Sequence, residues 1–218
     1  MAEQLKERIL SSGIIAICRK IYQDDLRRLT EALAEGGIRQ LEVTFDQSDA
    51  GGVQRTAEAI CDLCGRFPEM DFGAGTVLTV EQAEAARAAG GTFIISPSTD
   101  LTVIRRTKEL GMVSIPGAMT PSEIAAAHYA GADIVKLFPA GALGERYIRE
   151  IRGPLGHIQL LATGGVTLEN FGAMLRAGCC GAGLGGALCD KALLQAKDWS
   201  GLTERARRFA AIVQEARS

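Results

Sequence analysis

The feature that most constrains the fold is an alternation of short apolar segments with helical patterns along the chain. Such alternation is typical of βα units around a parallel sheet. Eight apolar segments are predicted strands, at residues 14–18, 40–44, 71–75, 92–96, 112–115, 133–138, 158–161 and 181–184. Eight βα units close naturally into a barrel, whereas nothing marks the topological switch that an open doubly wound sheet needs. The sequence therefore predicts an α/β protein, a single (β/α)8 TIM barrel with an extra N-terminal helix that caps its floor.

Turn and cap residues support these boundaries. Thr79 and Thr120 are predicted helix N-caps, because Gln82 and Glu123 stand three residues later. Pro121 suits the first position of its helix. Glycines at predicted helix ends are Gly36, Gly37, Gly90, Gly91, Gly111, Gly131 and Gly178.

Length and composition predict one globular domain over residues 1–218. The chain has 218 residues, 47% apolar and 23% charged, and no Pro/Ser-rich linker or shift in composition divides it. Its first residues are charged, unlike a signal peptide, and no apolar run is long enough to span a membrane. We therefore expect a cytoplasmic protein.

Charge and cysteine usage argue against several kinds of partner. The formal net charge is −2 and the basic residues are scattered, so we expect neither nucleic acid nor an anionic membrane as a partner. Cys61 and Cys64 lie in a helical pattern without a second pair at zinc spacing. Adjacent Cys179 and Cys180 fit the core. The sequence predicts reduced thiols and no metal site.

Lys136 points most directly to chemistry. Of the six lysines, it is the one that interrupts a predicted apolar strand. Burying an ammonium group is unfavourable unless the group is paired, so a buried lysine tends to lose its proton and become nucleophilic. Lys136 is therefore a candidate nucleophile. The alternative is a structural lysine paired with a carboxylate inside the barrel.

Glu42 is the candidate acid or base. Alternation along its strand turns Glu42 and Thr44 into the barrel and the apolar residues between them toward the helices. A carboxylate and an amine from different strands can meet there, which suits proton transfer around a Schiff base. The alternative is that Glu42 only neutralises Lys136. His128 and His157 lie away from the strand ends and are interpreted as structural or surface residues.

Other residues cluster at the carboxyl ends of predicted strands, where barrels of this type place their active sites. These are Arg19, Thr76, Pro97, Thr163 and the pairs Gly164-Gly165 and Gly185-Gly186. The glycine pairs follow the last two strands, where backbone N–H groups commonly bind phosphate. We expect a phosphate or carboxylate there; the alternative is ordinary strand-to-helix geometry.

Six sequence blocks are together highly specific for one family. They are GGIRQLEVT at 36–44, GAGTVL at 73–78, FIISP at 93–97, IPGAMTP at 115–121, VKLFPA at 135–140 and ATGGV at 162–166. Over nearly its whole length the chain resembles the class I 2-keto-3-deoxy-6-phosphogluconate (KDPG) and 4-hydroxy-2-oxoglutarate (KHG) aldolases. The resemblance implies cleavage of KDPG to pyruvate and glyceraldehyde 3-phosphate, or of KHG to pyruvate and glyoxylate. It implies a homotrimer without metal or organic cofactor, acting on a small 2-oxo acid that is phosphorylated in the case of KDPG.

The resemblance also implies roles for individual residues. Lys136 would form the Schiff base and Glu42 would be the general acid and base. The substrate channel would be lined by Thr76, Pro97, Phe138 and Thr163, and the distal phosphate or carboxylate would face Gly164, Gly165, Gly185 and Gly186.

Three positions depart from the family pattern. Many members have an arginine for the pyruvate carboxylate where this chain has Asp46, so we assign that role to Arg19, at the end of the first strand. Its cation would also lower the pKa of Lys136. Many members have Ser or Thr at Gly186, so a hydroxyl donor is missing. A common proline is replaced by Ala162, a change expected to be mild.

Three other functions stay open at this point. One is cleavage of the galactose epimer, 2-keto-3-deoxy-6-phosphogalactonate. Another is a phosphate-binding barrel isomerase or decarboxylase that uses a carboxylate base without an imine. The third is a sugar-acid binding protein without catalysis, which Asp46 and Gly186 make conceivable.

Overall fold

The computed structural model describes residues 2–217 and forms a nearly closed barrel of parallel strands surrounded by helices. The strands are β1 (Ile14–Cys18), β2 (Gln40–Thr44), β3 (Asp71–Gly75), β4 (Phe93–Ile95), β5 (Val113–Ile115), β6 (Gly117–Ala118), β7 (Val135–Leu137), β8 (Leu160–Thr163) and β9 (Gly181–Leu184). Their order in the sheet is β5-β4-β3-β2-β1-β9-β8-β7-β6. This architecture confirms the predicted TIM barrel.

Ten helices accompany these strands among residues 2–217. They are α1 (Ala2–Ser12), α2 (Gln23–Glu35), α3 (Gly52–Arg66), α4 (Val80–Ala88), α5 (Leu101–Glu109), α6 (Pro121–Tyr129), α7 (Ala140–Arg152), α8 (Phe171–Arg176), α9 (Lys191–Ala196) and α10 (Trp199–Arg217). Within the described chain no helix is both long and apolar enough to cross a membrane.

The strand count differs from the predicted eight because the fifth strand is split. β5 pairs with β4, and β6 pairs with β7. Between them stands Pro116, which has no N–H and cannot continue a ladder of hydrogen bonds. Its carbonyl still accepts a bond from the N–H of Lys136 at 2.9 Å. The barrel thus continues across the break, and Gly117–Ala118 is the strand that the sequence analysis missed.

Strand bounds also shift by up to two residues. β8 begins and ends two residues later than the predicted 158–161. Thr163 is therefore the last residue of the strand and does not lie in the loop after it. β7 is shorter than the predicted 133–138, but Lys136 is its central residue. The side chains that matter for the site therefore keep the faces that alternation assigns to them.

The predicted helix starts are confirmed. Thr120 and Glu123 form a reciprocal capping box with Pro121 in the first turn of α6. Thr79 Oγ1 accepts from the N–H of Gln82 at 3.3 Å at the start of α4. These caps satisfy N–H groups that a helix start leaves free, so they fix where the chain turns from strand to helix.

Apolar side chains form two layers. Leu41 and Val43 on β2 belong to the layer between strands and helices. The second layer fills the barrel interior near its floor, where Ile15 and Phe93 meet Leu5 and Ile9 of α1. The N-terminal helix thus closes the floor as predicted, and the opposite end of the barrel is left for polar residues.

Candidate active site

A cavity of about 710 Å³ opens at the carboxyl ends of the strands. All site residues inferred from the sequence line it: Arg19, Glu42, Thr76, Pro97, Lys136, Phe138, Thr163, Gly164, Gly165, Gly185 and Gly186. They come from separate strands and loops, and closure of the barrel brings them together. His128 and His157 lie outside this cavity, with ring centroids 5.3 Å apart.

Lys136 is buried in the cavity wall without a counter-ion. Its side chain projects inward from β7, and the residue is 7% exposed. Among residues 2–217 it makes no ion pair, and its Nζ lies 5.0 Å from the ring centroid of Phe138. Burial lowers the pKa of Lys136; the carboxylate of Glu42 opposes this shift and the cation of Arg19 adds to it. The amine of Lys136 therefore loses its proton more easily than that of an exposed lysine, which favours a role as nucleophile.

Glu42 is a buried carboxyl group with a raised pKa. The residue is 1% exposed, and its Oε2 has no hydrogen-bond partner within residues 2–217. Burial raises the pKa of Glu42 to about 7, against the opposing effects of Lys136 and Arg19. A carboxyl group that titrates near neutral pH can both take and give a proton.

Gly75 makes room for the Glu42 carboxylate. A Cβ atom built on Gly75 would lie 2.3 Å from Oε1 of Glu42. No side chain fits at that distance, so the backbone of β3 forms one wall around the carboxylate. The second glycine of the GAGTVL block, Gly75, is therefore explained by close approach rather than by a turn.

Arg19 is a cation at the edge of the cavity that has no ion-pair partner among residues 2–217. It is exposed, directly after β1, and makes no ion pair within the described chain. Asp46 instead accepts an ion pair from Lys20 at 2.8 Å and a hydrogen bond from Ser48 Oγ at 2.7 Å. These contacts, the Lys20 bond first, lower the pKa of Asp46 to about 2. Asp46 thus engages the neighbouring lysine, and Arg19 is left available for an anion.

The two glycine turns form another wall of the cavity. Gly164 and Gly165 have φ values of 80° and 73°, which glycine adopts without strain. The carbonyl of Gly165 accepts from Asn170 Nδ2 at 2.9 Å. The carbonyl of Gly185 accepts from the N–H of Leu188 at 2.8 Å. Both carbonyls are engaged, so N–H groups are what these turns can offer to an anion.

Two threonines add polar groups to the wall. Thr163 Oγ1 is buried and has no hydrogen-bond partner within residues 2–217. Buried polar atoms are nearly always paired, so an unpaired one at a cavity indicates contact with a ligand. Thr76 has a φ of 56°, which β-branched residues rarely adopt.

Several lining residues were missed in the sequence. Lys20 and Lys191 both reach the cavity, as do the apolar Ile17 and Leu194. Both lysines lie in polar segments, so they lack the contrast with apolar neighbours that singles out Lys136. The available signal is position: Lys20 is the second residue after β1, and Lys191 is the first residue of α9, after β9.

Comparisons with known proteins agree with this geometry. The sequence profile described as KDPG and KHG aldolase matches residues 5–205. A 2-dehydro-3-deoxy-6-phosphogalactonate aldolase of Escherichia coli (strain K12) is 36% identical over 176 residues, or 80% of this chain and 83% of that protein. A 2-dehydro-3-deoxy-phosphogluconate aldolase of Haemophilus influenzae is 30% identical over 216 residues, or 97% and 98%.

A solved structure shows the same fold with reaction chemistry captured in it. KDPG aldolase from Legionella pneumophila, with pyruvate captured at low pH as a covalent carbinolamine intermediate, has a TM-score of 0.83 and 28% identity. The match covers 94% of this chain and 97% of that one. The barrel, its cavity and these relatives lead to one assignment: the chain belongs to the KDPG and KHG aldolase family, and is a lyase of the aldolase type.

Proposed function

We propose that the chain is a class I aldolase that cleaves KDPG to pyruvate and glyceraldehyde 3-phosphate, KHG to pyruvate and glyoxylate, or both. The observation that supports this most directly is the buried Lys136, which has no counter-ion and shares its cavity with Glu42. An amine of lowered pKa and a carboxyl group of raised pKa are the two parts that imine chemistry requires.

The reaction begins with attack of Nζ of Lys136 on the C2 carbonyl carbon of the substrate. A proton moves to the carbonyl oxygen, giving a carbinolamine. Loss of water then gives a protonated imine, with Glu42 moving protons directly or through a water molecule. The imine withdraws electrons from C3, so it can accept the electron pair of the bond that breaks next.

Cleavage of the C3–C4 bond needs a base for the C4 hydroxyl proton and an acceptor for the electron pair of that bond. Glu42 takes the C4 hydroxyl proton, the C3–C4 bond breaks, and the aldehyde leaves. The electron pair of that bond stays on C3 and forms an enamine with the imine. Glu42 then gives a proton to C3 of the enamine, which regenerates an imine, and hydrolysis of this imine by water releases pyruvate and the free amine of Lys136. Glu42 returns its proton during these steps, so the enzyme ends in its starting state.

Arg19 and the glycine turns would hold the two ends of the substrate. The Arg19 guanidinium is suited to the C1 carboxylate, since charge-assisted bonds to carboxylates are among the strongest in proteins. The N–H groups of Gly164, Gly165 and Gly185 would take the distal phosphate or carboxylate.

The galactose epimer of KDPG is the second candidate substrate. The E. coli relative named for that epimer is 36% identical to this chain. Asp46 also departs from the pattern of members that bind the pyruvate carboxylate with an arginine at that position. Release of pyruvate from each epimer at equal concentration separates the two substrates by their kcat/KM.

The proposal extends to assembly and location. Exposed apolar side chains follow strands that are neighbours in the barrel: Leu78, Leu101, Met119 and Phe138. They would serve as contacts in a homotrimer, which native mass spectrometry tests. A cytoplasmic location is supported by the six free cysteines, two of them exposed or half-buried on α3, and is tested by fractionation of the source cells.

Borohydride trapping tests the proposed chemistry. The wild type, Lys136→Ala and the control Lys108→Ala are incubated with saturating pyruvate and borohydride, then weighed by intact-mass spectrometry. We expect a pyruvate-derived adduct on the wild type and on Lys108→Ala, and none on Lys136→Ala. A folded wild type without adduct contradicts the aldolase mechanism and favours a barrel isomerase, a decarboxylase or a binding protein.

A further inference from the structure

Two glutamines, one in the loop after β2 and one in the first turn of α4, hold the turn that follows β3. Gln82 Oε1 accepts from the N–H of Leu78 at 2.7 Å, and Gln82 Nε2 donates to Gln47 Oε1 at 2.9 Å. Gln47 Nε2 in turn donates to the carbonyl of Thr76 at 2.8 Å. We call Gln47 and Gln82 the glutamine pair. Together they bond the backbone on both sides of Val77.

The hydrogen-bond partners fix the orientation of both side-chain amides. The N–H of Leu78 can only donate, so Gln82 must present its oxygen there and its NH2 group to Gln47. Gln47 must then accept from Gln82 through its oxygen and face the Thr76 carbonyl with its NH2 group. Each donor meets an acceptor in one arrangement only, and either amide turned over would place like groups together.

Gln82 is unusually buried for a glutamine at the start of a helix. Gln82 lies in the first turn of α4, yet it is 7% exposed. An unpaired amide is unfavourable at a buried site, so Gln82 needs both of its side-chain hydrogen bonds, to Leu78 and to Gln47. Gln47 lies in the loop after β2, the strand that carries Glu42. The pair thus joins the loops after β2 and β3.

Thr76 is the residue that this contact holds in place. Its φ of 56° is a strained conformation for a β-branched residue, and such residues persist only where their surroundings hold them. Thr76 lines the cavity, and Gly75 beside it packs against the Glu42 carboxylate. Neighbouring bonds from Phe45 N–H to the Gly75 carbonyl at 2.9 Å and from Val77 N–H to Ile95 at 3.2 Å complete the support.

We propose that Gln47 and Gln82 are positioning residues for the aldol cleavage, which hold Thr76 in its left-handed conformation at the cavity wall next to Glu42. This inference rests on the proposed function. The glutamine pair does not touch the cavity; it acts through the turn and through Thr76. Loss of either amide frees the turn to leave its strained conformation, and Thr76 then moves away from the substrate.

The first test replaces each glutamine by methionine, which is of similar length and forms no comparable hydrogen bond. For Gln47→Met and Gln82→Met we expect kcat/KM for pyruvate release to fall about tenfold, as for loss of one or two ordinary hydrogen bonds. The effect falls mainly on kcat, because substrate is still bound by Arg19 and the glycine turns. Gln54→Met is the matched control, since among the described residues the side chain of Gln54 bonds only to Glu58, on the surface of α3.

The second test asks whether the pair acts through Thr76. The same substitutions are made in a Thr76→Ala background, with unfolding midpoints measured for every variant. We expect Gln47→Met to lower kcat/KM in the wild-type background and to have no further effect on Thr76→Ala. The double variant of Gln47 and Gln82 should equal the worse single variant, because both belong to one unit.

Two results overturn this inference. One is a Gln47→Met enzyme with the kcat/KM of Gln54→Met. The other is a loss from Gln47→Met that is as large on Thr76→Ala as on the wild type, which indicates general loosening of the fold. Should Gln82→Met fail to fold, Gln47→Met decides alone, because Gln47 is exposed. Failure of the proposed function is separately visible, as a wild type that forms no imine with pyruvate; the inference then falls with it.

Discussion

Two polar side chains enter the barrel from the same strand, one at the floor and one at the mouth, and their surroundings are opposite. Gln40 at the start of β2 accepts from Ser12 Oγ at 2.5 Å and donates to Asp71 at 3.0 Å. Glu42, two residues later, has a carboxylate oxygen with no partner within residues 2–217. The strand thus satisfies its buried amide and leaves its buried acid free.

Two lysines repeat the contrast. Lys108 donates to both carboxylate oxygens of Asp133, at 2.7 and 2.6 Å, near the amino end of β7. Lys136 in the middle of β7 makes no ion pair within the described chain. Buried polar groups stabilise a fold only when they are paired. The floor therefore stabilises the barrel, and the mouth gives up stability so that its groups can react.

Replacement of each lysine by methionine tests the difference between floor and mouth, and it has the largest expected effect. Lys136→Met removes the nucleophile, and we expect pyruvate release to fall by about 10⁴-fold or more. The same change relieves an unpaired buried amine, so the free energy of unfolding should rise by about 1–3 kcal/mol. Steady-state kinetics and urea unfolding measure the two effects.

The matched control is Lys108→Met at the floor. Here we expect the opposite result: pyruvate release is retained, while stability falls by about 1 kcal/mol, because the partly buried Asp133 carboxylate loses its ion pair with Lys108 and keeps the N–H of Ser114 as a donor. A Lys136→Met variant less stable than the wild type would refute the idea that the mouth is stabilised by removing its charge.

Glu42→Gln tests the acid and base at the mouth. We expect kcat to fall about 10²- to 10⁴-fold, because proton transfer by a placed side chain is lost. In the wild type, kcat/KM should decline as pH falls below about 7, where Glu42 gains a proton. The floor control Gln40→Met should keep this pH profile and lose stability instead.

The raised pKa of Glu42 also predicts how stability depends on pH. The folded state holds the proton up to about pH 7, and the unfolded state releases it near 4.5. Wild-type stability should therefore decrease as pH rises from 4.5 to 7, with no further loss from this group above that. Melting curves should show that Glu42→Gln gains stability relative to the wild type as pH rises over the same interval. A stability difference that does not change with pH would contradict burial as the cause of the raised pKa.

Arg19→Gln tests whether Arg19 and Lys20, two cations at the mouth, have different roles. We expect KM for the 2-oxo acid to rise about tenfold to a hundredfold, because a charge-assisted bond to the carboxylate is lost. Lys20→Gln removes the adjacent cation, which Asp46 already engages. It should change KM by no more than about threefold. Equal effects of the two changes would argue for general attraction by charge rather than for a specific contact.

Gly186→Ser has the smallest expected effect and tests the distal end of the cavity. A Cβ at Gly186 meets no atom within 4 Å, so serine fits without rearrangement. One added hydroxyl donor should lower KM for a phosphorylated substrate about threefold. With KHG, which has no phosphate, we expect a smaller change. The same gain with both substrates would place the hydroxyl away from the phosphate.

The sequence predicts those parts of the molecule that depend on local pattern. Lys136 could be found because it interrupts an apolar strand, and Glu42 because alternation along β2 turns it into the barrel. Arg19 and the glycine turns follow from the rule that barrel sites lie at the carboxyl ends of strands. Gly117–Ala118 was missed because the sequence signal of a strand this short is overridden by Pro116.

Contacts between loops could not be predicted in this way. Lys20 with Asp46, and Gln47 with Gln82, are brought together by the closure of the barrel, and no periodicity within either loop indicates the other partner. Such contacts depend on where neighbouring strands end and in which direction each loop leaves. Sequence reasoning thus finds the candidate reacting groups and misses much of what holds them.

The close approach of Gly75 to Glu42 also restricts how this protein can evolve. Any side chain at position 75 would collide with the carboxylate, so Gly75→Ala is harmful while Glu42 is present. A shorter acid, as in Glu42→Asp, would draw the carboxylate back by one methylene and open the space. The order of the two substitutions therefore matters: a lineage that changes position 42 first can explore position 75, and one that begins at position 75 displaces the carboxylate that we propose as acid and base.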